Sequence, residues 1–187
     1  MRSIQALQEL IFPVRCLGCR TLGLSICSVC RRNWHPHIFT RYSKSSPSFP
    51  IYSSIQYSPI AGKVLLAAKE NSLQGADDLL IAAIEHVLNK AQLDKGYFTL
   101  VPVPSSKQSQ RRRGRSFVVD LTRAISKRTG ITVNDCLQVS RRVSDQSGLT
   151  RTQRSSNMHE AFSLKPGAIL RGDAIVIDDV VTTGATL

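Results

Sequence analysis

The sequence lacks any apolar run that approaches the ~20 residues of a membrane-spanning helix. Residues 1–16 also lack the long apolar segment of a secretory signal, and Ile4, Leu7 and Leu10 instead follow the spacing of a short amphipathic helix. We therefore expect a cytoplasmic protein. A hydrophobic fraction of 42% excludes a wholly disordered chain, and 187 residues allow one globular domain with a small accessory module.

Acidic residues are scarce: the sequence has 13 Asp and Glu but 25 Lys and Arg, which gives a net charge of +12. The excess is concentrated in two arginine-rich segments, 107–115 and 141–154. Concentrated arginine is typical of a site for phosphate, pyrophosphate or nucleic acid. A solvated basic surface is the alternative.

Cysteines are few, but four of the five follow the spacing C-x2-C-x7-C-x2-C, at Cys16, Cys19, Cys27 and Cys30. Two such pairs, joined by one hairpin, can form a tetrahedral site of four sulfurs, which is typical of structural Zn²⁺. Disulfides are the competing interpretation, and they suit a secreted protein. The remaining Cys136 is expected to be a small buried apolar residue.

The chain divides into three predicted parts. Residues 1–38 hold the leading helix and the four-Cys module, residues 39–50 form a Ser- and Pro-rich linker, and residues 51–187 form the main domain. The segment 141–158 is long, polar and without apolar rhythm, which predicts a lid or a disordered loop.

Strands and helices alternate within the main domain. Strands are predicted at 51–58, 97–104, 132–140 and 174–181. Helices are predicted to begin at Ser58, Asp77 and Ser116, and an arginine-rich loop is predicted at 107–115. This alternation predicts an α/β fold with a largely parallel sheet and flanking helices.

The segment 174–186 predicts a binding site. Two adjacent carboxylates, Asp178 and Asp179, directly follow an apolar strand, and VVTTGAT then leads toward a helix. Ligands of open parallel sheets bind beyond the carboxyl ends of the strands, and backbone N–H groups at a helix start hold phosphate. The two acids would accept hydrogen bonds from ribose hydroxyls, although simple capping of the helix is an alternative. The pattern favours a sugar 5-phosphate.

This loop matches every position of the phosphoribosyl-pyrophosphate signature of type I phosphoribosyltransferases, and the wider sequence resembles the ComF family, which is associated with competence and DNA uptake. The matching residues are Cys16, Cys19, Cys27, Cys30, Val101–Pro104, Arg111, Arg113, Gly114, Gln146, Leu149, Arg154, Asn157, Phe162 and 178–186. Arg115, Ser116 and Phe117 stand where the family usually has Phe-Asn-Gln, so contacts of that Asn or Gln are not carried over.

The resemblance implies the type I phosphoribosyltransferase fold and a set of functional residues. Those implied to bind phosphoribosyl pyrophosphate are Asp178, Asp179, Val181, Thr182, Thr183, Gly184, Ala185, Thr186 and Lys107. Those implied to act in catalysis are Asp178, Asp179, Arg111 and Arg113. Mg²⁺ would arrive chelated by pyrophosphate and ribose oxygens, and 141–158 would be the lid.

Two functions stay open at this point. One is transfer of a phosphoribosyl group to an acceptor that the sequence does not identify. The other is a non-enzymatic competence or regulatory role, with single-stranded DNA bound on the basic surface and a helicase-type partner implied by the resemblance. Because the type I fold normally continues with further strands, we also expect the chain to be incomplete beyond Leu187.

Overall fold

The computed structural model describes residues 13–93, 97–140, 161–170 and 172–181. The predicted leading helix, the segment 141–158 and the loop residues Thr182–Thr186 lie outside these ranges. None of the described helices is long and apolar enough to cross a membrane.

The described residues form five helices and seven strands. The helices are α1 Ser28–Arg31, α2 Pro59–Asn71, α3 Gln74–Lys90, α4 Lys107–Arg113 and α5 Phe117–Thr129. The strands are β1 Phe39–Tyr42, β2 Pro50–Ser53, β3 Phe98–Pro102, β4 Thr132–Val133, β5 Leu137–Val139, β6 Phe162–Leu164 and β7 Asp173–Ile177.

A three-stranded parallel sheet, in the order β4-β3-β7, lies at the centre of the α/β part. Parallel pairing was expected from the alternation of strands and helices, and the structure confirms it for these three strands. β3 is the middle strand, and its residues Leu100 and Val101 are buried. Pro102 of β3 lies opposite Ile177 of β7, so the two strands end together at one edge of the sheet.

Two helices follow their sequence signals closely. Ser58 caps α2 by accepting a hydrogen bond from the backbone N–H of Ala61, and Pro59 occupies the first turn. At the end of α5, Gly130 adopts a left-handed conformation with φ of 77°. α5 buries Phe117, and Leu121 one turn later, as the spacing of its apolar residues predicted.

The predicted linker is wrong as a description of residues 39–50, because β1 and β2 pair there as an antiparallel hairpin. The Ser- and Pro-rich composition concealed it, because these residues form the connection of the hairpin. There the serine side chains hydrogen-bond to one another and to the backbone. Ser43, for example, accepts a hydrogen bond from the backbone N–H of Phe49. β2 covers only the start of the strand predicted at 51–58.

Three other boundaries differ from prediction. Residues 107–113 form helix α4 rather than a loop, since Ser106 caps its start and Gly114 ends it in a left-handed conformation. The strand predicted at 132–140 is divided into β4 and β5, which belong to different sheets. α3 begins at Gln74, three residues before the predicted start at Asp77, and Asp77 lies in its first turn.

The hydrophobic core continues from the four-Cys region into the α/β part. Cys16, Ile26 and Trp34 belong to the same buried cluster as Val64 of α2 and Leu100 of β3. The four-Cys region therefore packs on the larger part instead of standing apart from it.

Candidate functional sites

The four cysteines predicted from their spacing lie together. Their Sγ atoms are all within 4.8 Å of one another, and the Sγ atoms of Cys19 and Cys27 are 3.5 Å apart. A tetrahedral Zn²⁺ with Zn–S bonds of about 2.3 Å needs sulfurs about 3.8 Å apart. Cys16, Cys19, Cys27 and Cys30 are all free thiols and fit a structural metal such as zinc.

A short turn and a helix start hold the two cysteine pairs. The first pair lies within a tight turn that an antiparallel bridge between Arg15 and Leu22 closes. The second pair spans the start of α1, where Cys27 precedes the helix and Cys30 lies within it. The bridge encloses the first cysteine pair, so the hairpin predicted between the two pairs stays a prediction.

Gly18 lets the cysteine pairs approach. A Cβ atom at this position would lie 2.6 Å from the Sγ of Cys30, closer than atoms can pack. The carbonyl oxygen of Gly18 also accepts a 2.8 Å hydrogen bond from the Nζ of Lys63 on α2. The same residue thus sets the width of the cluster and fixes it to the α/β part.

The surroundings divide the thiols into two kinds. Burial opposes ionisation of Cys16, but backbone N–H groups, including that of Cys27 at 3.3 Å, outweigh it and lower the pKa of Cys16 to about 6. Burial and the neighbouring sulfurs raise the pKa of Cys30 to about 12. Since a metal binds thiolates, loading of this site is expected to release protons.

The diacid, Asp178 and Asp179, directly follows β7. The backbone N–H of Val103, just after β3, donates a 2.9 Å hydrogen bond to the carbonyl oxygen of Ile177. The diacid and the segment that leads to Lys107 therefore leave the sheet from the same edge. In parallel sheets this is the edge at which ligands bind.

One oxygen of each diacid carboxylate is already engaged. The backbone N–H of Asp179 donates to Oδ1 of Asp178 at 2.8 Å, and the Nζ of Lys69 on α2 forms an ion pair with Oδ2 of Asp179. No described residue donates a hydrogen bond to the other oxygen of either carboxylate. Two acceptor atoms on adjacent carboxylates are a suitable arrangement for two neighbouring hydroxyls of a sugar.

Burial, and after it the adjacent charge of Asp179, raise the pKa of Asp178 to about 7. The backbone N–H of Asp179 and the charge of Lys69 act in the opposite direction. The Asp178 carboxyl is therefore poised to gain or lose a proton near neutral pH.

The arginines predicted to bind pyrophosphate differ in their surroundings. Arg113, on α4, donates from Nε to Oε1 of Glu70 at 2.8 Å, and its side chain is only 10% exposed. Arg111 is exposed and pairs with no described carboxylate. Arg112 lies 3.5 Å from Glu70. Arg113 thus joins α4 to α2, and only Arg111 of the two predicted arginines is open to a ligand.

Lys107, the other predicted phosphate ligand, is exposed at the start of α4 and lines a groove of about 690 Å³. Residues of the paired strands β5 and β6 and next to them, including Gln138, Ser163 and Lys165, also line the groove. Val181 is exposed after the diacid, and the remaining predicted loop residues, Thr182–Thr186, lie outside the described residues.

Two features escaped the sequence analysis. The first is Lys69, whose distance of 110 residues from Asp179 hides the ion pair from any local pattern. The second is visible in the sequence: no Asp or Glu occurs between Glu9 and Glu70, although eight Lys and Arg do, at 15, 20, 31, 32, 41, 44, 63 and 69. A cluster of arginines is apparent from the basic residues alone, whereas this basic stretch is apparent only from the missing acids.

The chain matches no protein-family model and no curated protein.

Proposed function

We propose that this protein binds phosphoribosyl pyrophosphate with Mg²⁺ at the sheet edge that carries the diacid, as a ComF-like protein of the phosphoribosyltransferase type. The observation that carries the proposal is the register of β3 and β7, which brings the diacid and the segment leading to Lys107 to one edge. A ligand with a ribose at one end and a pyrophosphate at the other matches acids and cations that follow neighbouring strands.

The chemistry proposed for this edge rests on binding and charge. The free carboxylate oxygens of Asp178 and Asp179 accept hydrogen bonds from the ribose hydroxyls, while Lys107 and Arg111 offset the negative charge of the pyrophosphate. Mg²⁺, when bound, neutralises pyrophosphate oxygens further. The same charge stabilisation would assist transfer of the phosphoribosyl group to an acceptor. The residues of this edge do not identify that acceptor.

We further propose that the four-Cys cluster holds one structural Zn²⁺. All four positions would be sulfur ligands, which leaves no open position for a substrate. The continuous core supports this role, because Cys16 and Cys30 lie among the buried residues that join the cluster to α2. Metal analysis of the purified chain should give one zinc per chain.

Calorimetric titration with phosphoribosyl pyrophosphate and Mg²⁺ tests the sugar-phosphate site. We expect binding by the native chain and at least a tenfold weaker affinity for the double variant Asp178→Asn, Asp179→Asn, which loses the charge of both acceptors. Asp173→Asn is a matched control, because Asp173 is an exposed acid at the opposite end of the same strand. Equal heats from all three proteins would rule the site out.

A second candidate function is binding of single-stranded nucleic acid by residues 13–58, which we name the basic hairpin region. This region contains six exposed Lys and Arg and no acid, and none of the six lies within ion-pair distance of a described carboxylate. The basic hairpin region also exposes aromatic side chains, with Tyr42 70% and Tyr57 72% exposed. Single-stranded nucleic acid is typically bound by cations that contact its phosphates and by aromatic rings that stack on its bases.

Fluorescence anisotropy with a labelled single-stranded DNA, measured over a range of salt concentrations, tests this function. We expect Arg31→Glu/Arg32→Glu to weaken binding at least tenfold and to reduce the salt dependence. Lys127→Glu, on α5, is a control for net charge, because it reverses one exposed cation outside the basic hairpin region. Identical affinities for native and double-variant chains would exclude this surface as the binding site.

A further inference from the structure

Lys69 occupies an unusual position beside the proposed ribose site. It lies in the last turn of α2 and is partly buried, yet it forms an ion pair with Asp179, which follows β7. The Asp179 side chain is itself largely buried. The ring of the fully buried Phe117 lies beneath, with its centroid 6.0 Å from the Lys69 Nζ. The ammonium group is thus confined between an acid and an aromatic face.

The contact involves only part of Asp179. Lys69 engages Oδ2, and Oδ1 accepts no hydrogen bond from any residue in the described ranges. Asp178 is fixed in the same manner, through one oxygen only, by the backbone N–H of Asp179. Each carboxylate is therefore held by one oxygen and presents the other.

A cation is also needed here for electrostatic reasons. Two adjacent, partly buried carboxylates repel each other, and the charge of Asp179 disfavours the ionised form of Asp178. A ribose hydroxyl donates a hydrogen bond, and an ionised carboxylate is a stronger acceptor than a protonated one. Among the described residues, Lys69 is the cation that contacts this pair.

We infer that Lys69 is a positioning residue for the ribose site: it fixes Asp179 through Oδ2 and its charge favours the ionised form of Asp178, so that one oxygen of each carboxylate faces a pair of neighbouring sugar hydroxyls. This inference rests on the proposed sugar-phosphate site and adds to it a residue from a distant helix. Lys69 binds no part of the ligand itself.

Glu70, next to Lys69 at the end of α2, forms a second contact that bears on the site. Glu70 pairs with Arg113 of α4, so the end of α2 contacts both the diacid and the arginine-rich helix. Lys69 and Glu70 thus connect the proposed ribose end of the site to the side that carries Lys107 and Arg111. A change at Lys69 should affect the ribose end and leave the phosphate end intact.

The test compares Lys69→Gln with Lys69→Arg and with Lys90→Gln, a control that removes an exposed lysine at the end of α3. Affinities for phosphoribosyl pyrophosphate and for inorganic pyrophosphate, both with Mg²⁺, are measured by calorimetry on the full chain. We expect Lys69→Gln to weaken the sugar-bearing ligand about tenfold and pyrophosphate less than twofold. Lys69→Arg should retain most of the affinity, and Lys90→Gln all of it.

A second measurement does not depend on any ligand. Carbon-detected NMR of the carboxyl groups should show Asp178 titrating at higher pH in Lys69→Gln than in the native chain, with Lys69→Arg close to native. Failure of the native chain to bind phosphoribosyl pyrophosphate would overturn the proposed function, while the carboxyl titration would still decide whether Lys69 controls the diacid. Equal loss of both ligands in Lys69→Gln, or an unchanged Asp178 titration, would overturn the positioning role.

Discussion

The four-Cys cluster and the diacid edge are assembled over very different distances in the chain. The four sulfurs come from residues 16–30, whereas the ion pair that holds Asp179 joins residues 110 positions apart. The first site depends on two local turns, and the second depends on the register of a sheet and the placement of a helix. Removal of a sulfur should therefore act on the cluster directly, whereas loss of the sheet register or of the α2 contact should act on the diacid directly.

The largest expected effect comes from Cys16→Ser, because Cys16 is fully buried and its sulfur belongs to the cluster. We expect loss of the metal and a destabilisation of more than about 5 kcal/mol, since binding energy of a structural zinc is folding energy. Zinc stoichiometry and thermal unfolding are the measurements. Cys136→Ala, at a buried thiol outside the cluster, should keep the metal. Full zinc content in Cys16→Ser would contradict a four-sulfur site.

The next effect concerns the pH dependence of stability at the diacid. Because the folded pKa of Asp178, about 7, lies above its ordinary value of 3.8, the folded state binds its proton more tightly than the unfolded state. This group therefore favours folding below pH ~4 and loses that contribution as the pH rises toward 7. Asp178→Asn should remove this loss, which amounts to at most about 4 kcal/mol.

Denaturant unfolding between pH 5 and pH 8 measures the effect of Asp178→Asn. The variant should gain stability relative to the native chain as the pH rises. Asp173→Asn, at the exposed start of β7, should follow the native curve. A native and an Asp178→Asn curve that run parallel would show that the buried carboxyl is not titrating in this range.

A smaller effect is expected from Gly18→Ala, where the new Cβ would overlap the Sγ of Cys30. We expect the zinc affinity to fall by about 1–3 kcal/mol, the usual cost of overpacking. A chelator competition assay measures this. Gly62→Ala is the matched control, because its Cβ would meet only the hydroxyl of the exposed Tyr57. Equal chelator resistance in both variants would mean that the cluster adjusts to the extra methyl group.

The smallest effect is expected from Glu70→Gln, which breaks the ion pair with Arg113. Both groups are partly accessible to water, so the loss should be about 1 kcal/mol. Thermal unfolding measures it, and zinc content should not change. An unchanged melting temperature would indicate that α4 is held by its other contacts.

The part of the fold that could be predicted from the sequence is the part governed by local patterns. The cysteine spacing, the Ser58-Pro59 helix start and the Gly130 helix end are each set by neighbouring residues, and each is confirmed. The alternation of strands and helices gave the parallel sheet for the same reason. Residues 39–50 were misread because serine and proline mark turns, and the two short strands flanking this turn are too exposed to show a periodic pattern.

The candidate sites divide in the same way. Asp178 and Asp179 could be selected because they follow an apolar strand directly, but their partner Lys69 could not, since its contact is created by tertiary packing. Charge density alone also overestimated how many of the arginines at 107–115 are free to bind a ligand. Arg113 and Arg115 are largely engaged with Glu70 and with the acids Asp77 and Asp120. The acid-free stretch before Glu70 would have pointed to the more open basic surface.

The most direct test of the central claim, that the ends of β3 and β7 form one sugar-phosphate site, is an amide NMR titration of the native chain with phosphoribosyl pyrophosphate and Mg²⁺. We predict that the amides of Val103, of Ser105–Lys107 and of Asp178–Val181 shift together, with the same apparent Kd. Inorganic pyrophosphate should shift the first group more than the second. Shifts in only one group with the sugar-bearing ligand, or in neither, would contradict the claim.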